Sequence, residues 1–137
     1  MTELDESRRW LRYAREDLFT AKTMLGWEEV LSRHVCWHAQ QSAEKAIKAV
    51  LVFLQIEFPR SHDLDMLRNL VPDGWRLRVH HPDLAELTEW AVEARYPGDW
   101  PEAVESDARS AVEQAQAIWD SVQADLAECG YQFEEPK

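Results

Sequence analysis

Between Ala39 and Leu54 the chain reads Ala-Gln-Gln-Ser-Ala-Glu-Lys-Ala-Ile-Lys-Ala-Val-Leu-Val-Phe-Leu, without a glycine or a proline. Helix-forming residues dominate this run, and with Val35 the residues Ala39, Ala43 and Ala46 share one helical arc. The character then changes. Val50 to Leu54 are five consecutive apolar residues, so a helix there is apolar all round and has to be covered on every side. The spacing predicts one helix over about Glu28–Ile56, some 43 Å long at 1.5 Å per residue. In a small domain it is either the central helix or partly covered by another chain.

The flanking segments carry the same period. Leu11, Ala14, Leu18, Ala21 and Leu25 form a stripe on a helix over about Asp5–Met24, with Gly26 as its C-terminal cap. Val104, Ala108, Ala111, Ala115, Ile118, Val122 and Leu126 form another over about Pro101–Glu128, with Pro101 suited to a first turn. Between them lie a short helix over about Asp63–Val71, a Pro72-Asp73-Gly74 turn and a helix over about Asp83–Arg95 with Leu84, Leu87 and Ala91 inward. The reading is all-α: an antiparallel up-and-down bundle of four long helices plus one short helix. It is a single domain over residues 1–137, with a core at about 8–128 and a frayed tail at 130–137.

Charge limits what the surface can bind. The formal net charge is −11. Residues 1–60 hold nine Lys/Arg against nine Asp/Glu, whereas residues 61–137 hold six against seventeen and carry the whole deficit. A general RNA-binding surface is basic, so any nucleic-acid site is local and belongs to the first half. No apolar run reaches the ~20 residues of a membrane span, and the acidic start (Glu3, Asp5, Glu6) is unlike a signal peptide. Two cysteines make neither a disulfide framework nor a zinc cluster, so a cytoplasmic location is expected. Cys36 reads as a small packing residue. Seven tryptophans imply large apolar contacts in a core or an interface.

Several polar residues invite a chemical reading, and each has a plainer one. Gln41, Lys45 and Lys48 fall opposite the apolar arc with Glu44 on its border. That is a solvated face with a favourable Glu44–Lys48 pair at i,i+4, or a patch that meets a phosphate or a partner. His34 and His38 share the helical metal-site spacing but lack further ligands, so no metal is expected. His62-Asp63-Leu64 opens a helix in the ordinary polar way, which leaves the histidine itself unexplained. Arg95-Tyr96-Pro97 closes a helix, where Arg complements the dipole or, beside an aromatic, clamps a phosphate. Arg76 and His81 lie in an expected loop, and chance accounts for their pairing.

Taken in order, Asp17-Leu18, the Ala39–Lys48 segment, Ser61-His62-Asp63-Leu64 and Ala94-Arg95-Tyr96-Pro97 resemble the HEPN domain family over about residues 8–127. The resemblance implies a helical homodimer working beside a minimal nucleotidyltransferase, often as a toxin–antitoxin-type pair, with no cofactor. Gln41, Glu44, Lys45, Lys48, His62, Arg95 and Tyr96 are then the expected site for a nucleotide phosphate or the partner. Many members are metal-independent ribonucleases with Arg, four to six residues, then His. Here Arg95 is followed at 100–102 by Trp, Pro and Glu, so the resemblance places this chain in the Arg-Tyr-Pro branch. Two other readings stay open: a ribonuclease toxin using Arg95 with His62, and a purely structural dimer or scaffold.

Overall fold

The structure is a computed structural model, described here for residues 2–91 and 102–133. Among these residues the regular structure is entirely α-helical. Helix α1 spans Glu3–Met24, α2 Ser32–Phe53, α3 Leu64–Arg68, α4 Arg76–Val79, α5 Ala85–Glu89 and α6 Glu105–Glu128.

Helix α1 starts on a reciprocal cap. Thr2 Oγ1 accepts from Asp5 N–H at 3.1 Å, and the Asp5 carboxylate accepts from Thr2 N–H at 3.4 Å. Its expected stripe is buried at Leu11, Ala14, Leu18 and Ala21. Leu25 caps the C-terminus, but Gly26 does not take the left-handed conformation expected of it. Helix α2 packs against α1, α6, α3 and α5, so it is the central helix. Small residues let α1 and α2 approach closely: Ala14, Ala39, Ala43 and Ser42 are all buried, and Ser42 Oγ donates to the Ala14 carbonyl at 2.8 Å.

The end of α2 is set by backbone geometry. Ile56 N–H reaches Leu51 O at 2.9 Å and Gln55 N–H reaches Val52 O at 3.0 Å, with Gln55 in the left-handed region at φ 59°. This is the six-to-one and five-to-two pattern that glycine usually supports, occupied here by glutamine. It turns the chain so that Phe58 to Asp63 run back along α2. Asp63 then caps α3 by accepting from Met66 N–H at 3.2 Å.

The segment between α3 and α6 differs from the expected long helix over Asp83–Arg95. The helix closes after five residues at Trp90, whose N–H bonds Leu87 O in a tightened last turn, and residues 92–101 lie outside the described set. Leu84, Leu87 and Ala91 are nevertheless inward. The expected loop at Arg76 is a single helical turn, α4. It forms because the buried Asp125 carboxylate of α6 accepts from Arg76 N–H at 3.1 Å and Leu77 N–H at 3.0 Å. A carboxylate on two first-turn amides is a cap supplied from across the fold. Among the described residues there are thus three long and three short helices.

Helix α6 begins at Glu105. Its stripe is buried from Ala108 to Leu126, while Val104 stands before the helix and is exposed. The tail corrects another expectation. Gly130 adopts φ 84°, Tyr131 N–H returns to Leu126 O at 3.0 Å, and the Tyr131 ring is buried against Phe53 and Phe133. Aromatic burial therefore holds residues 131–133 on the core, where fraying was expected from 130 onward; residues 134–137 lie outside the described set.

Candidate functional site

The polar residues of α2 gather around one carboxylate. Glu44 sits at the middle of α2 with its side chain only 6% exposed. Oε1 accepts from Gln40 Nε2 at 3.1 Å and pairs with His62 Nδ1 at 2.7 Å, while Oε2 accepts from Lys48 Nζ at 3.0 Å. Burial alone would raise the carboxyl pKa. The hydrogen bonds from His62, Lys48 and Gln40, with the Lys48 charge, outweigh it and hold Glu44 below the usual carboxylate range. Glu44 is therefore an anion inside the fold, and it keeps a cation and a histidine beside it.

The His62 position now has a cause. Its ring is held by Glu44, and its backbone carbonyl accepts from Gln40 Nε2 at 3.4 Å. Two side chains one turn apart on α2 thus pin the loop that enters α3. Carboxylate contact at one ring nitrogen fixes ring orientation and tautomer, which is what a histidine needs to act on a proton. The His62 side chain remains 42% exposed, so this end of the cluster reaches the surface.

A second carboxylate lies alongside. Asp17 of α1 accepts from Lys45 Nζ at 2.6 Å and pairs with His38 Nδ1 at 3.1 Å. Lys45 and His38 are about three-quarters covered. Aromatic rings close the remaining sides. Lys48 Nζ is 5.8 Å from the ring centres of both Trp10 and Phe58, and Lys45 Nζ is 5.9 Å from that of Tyr13. Two carboxylates and two ammonium groups balance with the histidines uncharged, so each proton added to a histidine makes the cluster cationic.

The expected site residues thus divide. Gln41, Glu44, Lys45, Lys48 and His62 lie in one region: Gln41 Nε2 donates to Gln40 Oε1 at 2.7 Å and so joins the same network. Arg95 and Tyr96 lie outside the described residues. The solvated-face account fails for Glu44 and Lys48, which are buried, because α1 and the 58–62 segment cover that side of α2. Sequence reasoning missed Asp17, Gln40 and His38 as members. Gln40 had a signal, since it precedes Glu44 by one turn. Asp17 had none within α2, because it arrives from α1.

Other candidates resolve into structural roles. His34 is exposed, and no group of three or more His, Cys, Asp or Glu among the described residues is placed to hold a metal ion. Cys36 is fully buried. Arg76 binds Asp125 and Glu128, whereas His81 turns inward and pairs through Nε2 with Ser121 Oγ at 2.9 Å, so the two share no partner. Buried Arg68 spans Asp65 and the His81 carbonyl, tying α3 to the loop before α5. No described helix is long and apolar enough to cross a membrane.

Comparison with known proteins agrees with this architecture. A model of the HEPN domain family matches residues 7–125. A protein of Methanocaldococcus jannaschii named "Putative toxin MJ1304" is 33% identical over 95 residues, 64% of this chain; the chain spans 61% of that protein's length. The crystal structure of TT1696 from Thermus thermophilus superposes with a TM-score of 0.73 at 26% identity, covering 88% of this chain and 98% of that one. ST0689, described as an archaeal HEPN homologue, superposes with a TM-score of 0.64 at 24% identity, covering 92% and 99%, a likeness of fold.

Proposed function

Because the chain belongs to the HEPN domain family, we propose that it is the helical, toxin-type subunit of a toxin–antitoxin-type pair acting in the cytoplasm. The Glu44 cluster is its working surface. As a homodimer, the chain presents there Gln41, Lys45, Lys48 and His62, joined by Arg95 and Tyr96, to a nucleotide phosphate or to a minimal nucleotidyltransferase. The observation that carries this reading is the buried Glu44 carboxylate, whose three hydrogen bonds hold Lys48, Gln40 and the half-exposed His62 in place. A buried anion is costly in a core that apolar residues fill equally well, so it points to a task for the groups it orients. The relative named as a toxin supports the toxin-type role.

Calorimetric titration of the purified chain with ATP, and with a nucleotidyltransferase encoded beside it, tests the reading. Binding of either that weakens at least tenfold in Lys45→Gln and His62→Ala supports it. Heat from neither, or full binding by both variants, removes it.

One observation favours a second reading, metal-independent RNA cleavage. The Glu44 Oε1 to His62 Nδ1 contact of 2.7 Å is the arrangement of an oriented general base. Arg95 would then meet the phosphate. Cleavage in the presence of EDTA, abolished by His62→Ala and by Arg95→Ala, is the expected result of that chemistry; intact RNA under the same conditions excludes it.

A further inference from the structure

The opposite flank of α1 carries a different chemistry. Arg8, Arg12, Arg15, Phe19 and Lys22 follow one another at spacings of four, three, four and three, so they line a single face of the helix. That face borders α6. A groove of about 400 Å³ beside Arg8, Arg12 and Arg15 has Trp119 and Gln123 of α6, with Tyr131 and Phe133, on its other side. It meets a second groove of about 520 Å³, running past Phe19 and Lys22 to Gln116, at the shared residues Arg15 and Trp119. From Arg8 to Lys22 the track is about 21 Å long at 1.5 Å per residue.

The arginines stand out in a chain of net charge −11. Arg8, Arg12 and Arg15 have no carboxylate within ion-pair distance among the described residues, although Arg33, Arg68, Arg76, Arg78 and Arg109 each have one. Asp5, which also lines the first groove, is hydrogen-bonded to Thr2. Those bonds, with a smaller contribution from the Arg8 charge, lower its carboxyl pKa, but it makes no ion pair with Arg8. The Arg8 Nε–H is buried and meets no acceptor, and its guanidinium lies 5.8 Å from the Tyr131 ring centre. Arg12 lies over Tyr13 at 5.4 Å. Phe19, between Arg15 and Lys22, is 70% exposed.

We propose that this α1–α6 track binds single-stranded RNA through its phosphates, with Phe19 as a stacking surface for a base. Guanidinium groups meet phosphate oxygens in pairs, and an exposed ring between cations suits a strand whose bases are unpaired. An amphipathic partner helix fits less well, since it needs open apolar holes. Leu11 and Leu18 are each 4% exposed, and Trp119 and Tyr131 are 8%, so the floor is already sealed. A ligand meets guanidinium and amide groups along the first groove and the single exposed Phe19 ring in the second. The track is independent of the Glu44 cluster, which faces the other flank of α1. Its occupancy does not require the reading given to that cluster.

Fluorescence anisotropy of a fluorescein-labelled oligouridylate with the full-length chain tests the proposal. The wild type binds at low salt, and log K falls with log salt at a slope of about −2 to −3, as three or four phosphate contacts at roughly −0.7 each require. Arg12→Gln with Arg15→Gln, both at exposed positions, weakens binding at least tenfold and flattens the slope by about one unit or more. Phe19→Ala weakens it about fivefold or more and leaves the slope unchanged. Far-UV circular dichroism and the melting temperature show that the variants are folded. No binding by the folded wild type, or equal binding by the arginine variant, overturns the proposal. So does a change in the mass of the assembly in the arginine variant with RNA binding intact, which would mark the track as a protein-docking surface. Arg109→Gln, which removes an exposed cation that lines neither groove, serves as the control: it leaves this binding within twofold. Because ATP calorimetry reads the Glu44 cluster separately, failure of that reading and failure of this one remain distinct.

Discussion

Replacing Glu44 with glutamine keeps the shape of the side chain and removes its charge. Lys48 then keeps its ammonium group with only 10% of its side chain exposed and no anion beside it. Breaking a buried ion pair from one side costs about 3–5 kcal/mol. The Trp10 and Phe58 rings near Lys48 Nζ offset about 1 kcal/mol of that, and the glutamine carbonyl still accepts one hydrogen bond. The expected loss is therefore about 2–4 kcal/mol, a large share of the 5–15 kcal/mol that holds a typical domain together. Urea unfolding followed by circular dichroism measures it as a lower midpoint at unchanged slope. Lys48→Met removes the orphaned cation, so the double variant Glu44→Gln/Lys48→Met loses less than the sum of the single losses, by about 1–3 kcal/mol. A Glu44→Gln loss under about 0.5 kcal/mol, or strict additivity in the cycle, would refute the claim that this carboxylate is a buried anion organising its neighbours.

Stability declines in acid in two stages. Burial, with the nearby His80 and Arg68, lowers the His81 pKa below its ordinary 6.5, so the unfolded chain takes up that proton first and stability falls as pH drops from 6.5 toward the folded value. Glu44 is held below its ordinary 4.5, so its contribution is complete above 4.5 and is lost as pH falls through the folded value. Urea midpoints across pH should show both declines, and His81→Gln should abolish the upper one alone. Gln55→Gly should raise stability by about 0.5–1 kcal/mol, because it relieves the left-handed strain at φ 59° in the cap of α2; a lower melting temperature would show that the Gln55 side chain matters more than its backbone.

The long helices were legible because their apolar residues repeat at the helical period and that period is local. Leu11, Ala14, Leu18 and Ala21 on α1, and Ala108 through Leu126 on α6, are buried where the stripes placed them. The segment from Asp63 to Ala91 was less legible, since its short helices depend on distant partners. Nothing near Arg76 in sequence announces that Asp125, on α6, will cap α4. Tyr131 is similar: its burial rests on Phe53 and Phe133, and a tail of that composition gives no periodic sign of docking.

The site was half legible for the same reason. A wheel drawn for α2 alone sets Lys45 and Lys48 opposite the alanine arc and reads that face as solvated. It cannot display Asp17 arriving from α1, nor the chain doubling back at Gln55 to bring His62 onto Glu44. Family resemblance gathered Glu44, Lys48 and His62 into one list, and physical contact explains why they belong together. The histidine that a helix start leaves unexplained is the closing member of a buried carboxylate network.

Growth of a host cell reads most directly whether that network does the protein's work. Induced expression in a bacterial host, at matched soluble levels, compares the wild type with His62→Ala and with Glu44→Gln. Growth arrest by the wild type, relieved by both variants, is the predicted result. Unimpeded growth under the wild type, or arrest by the variants as complete as its own, would contradict it.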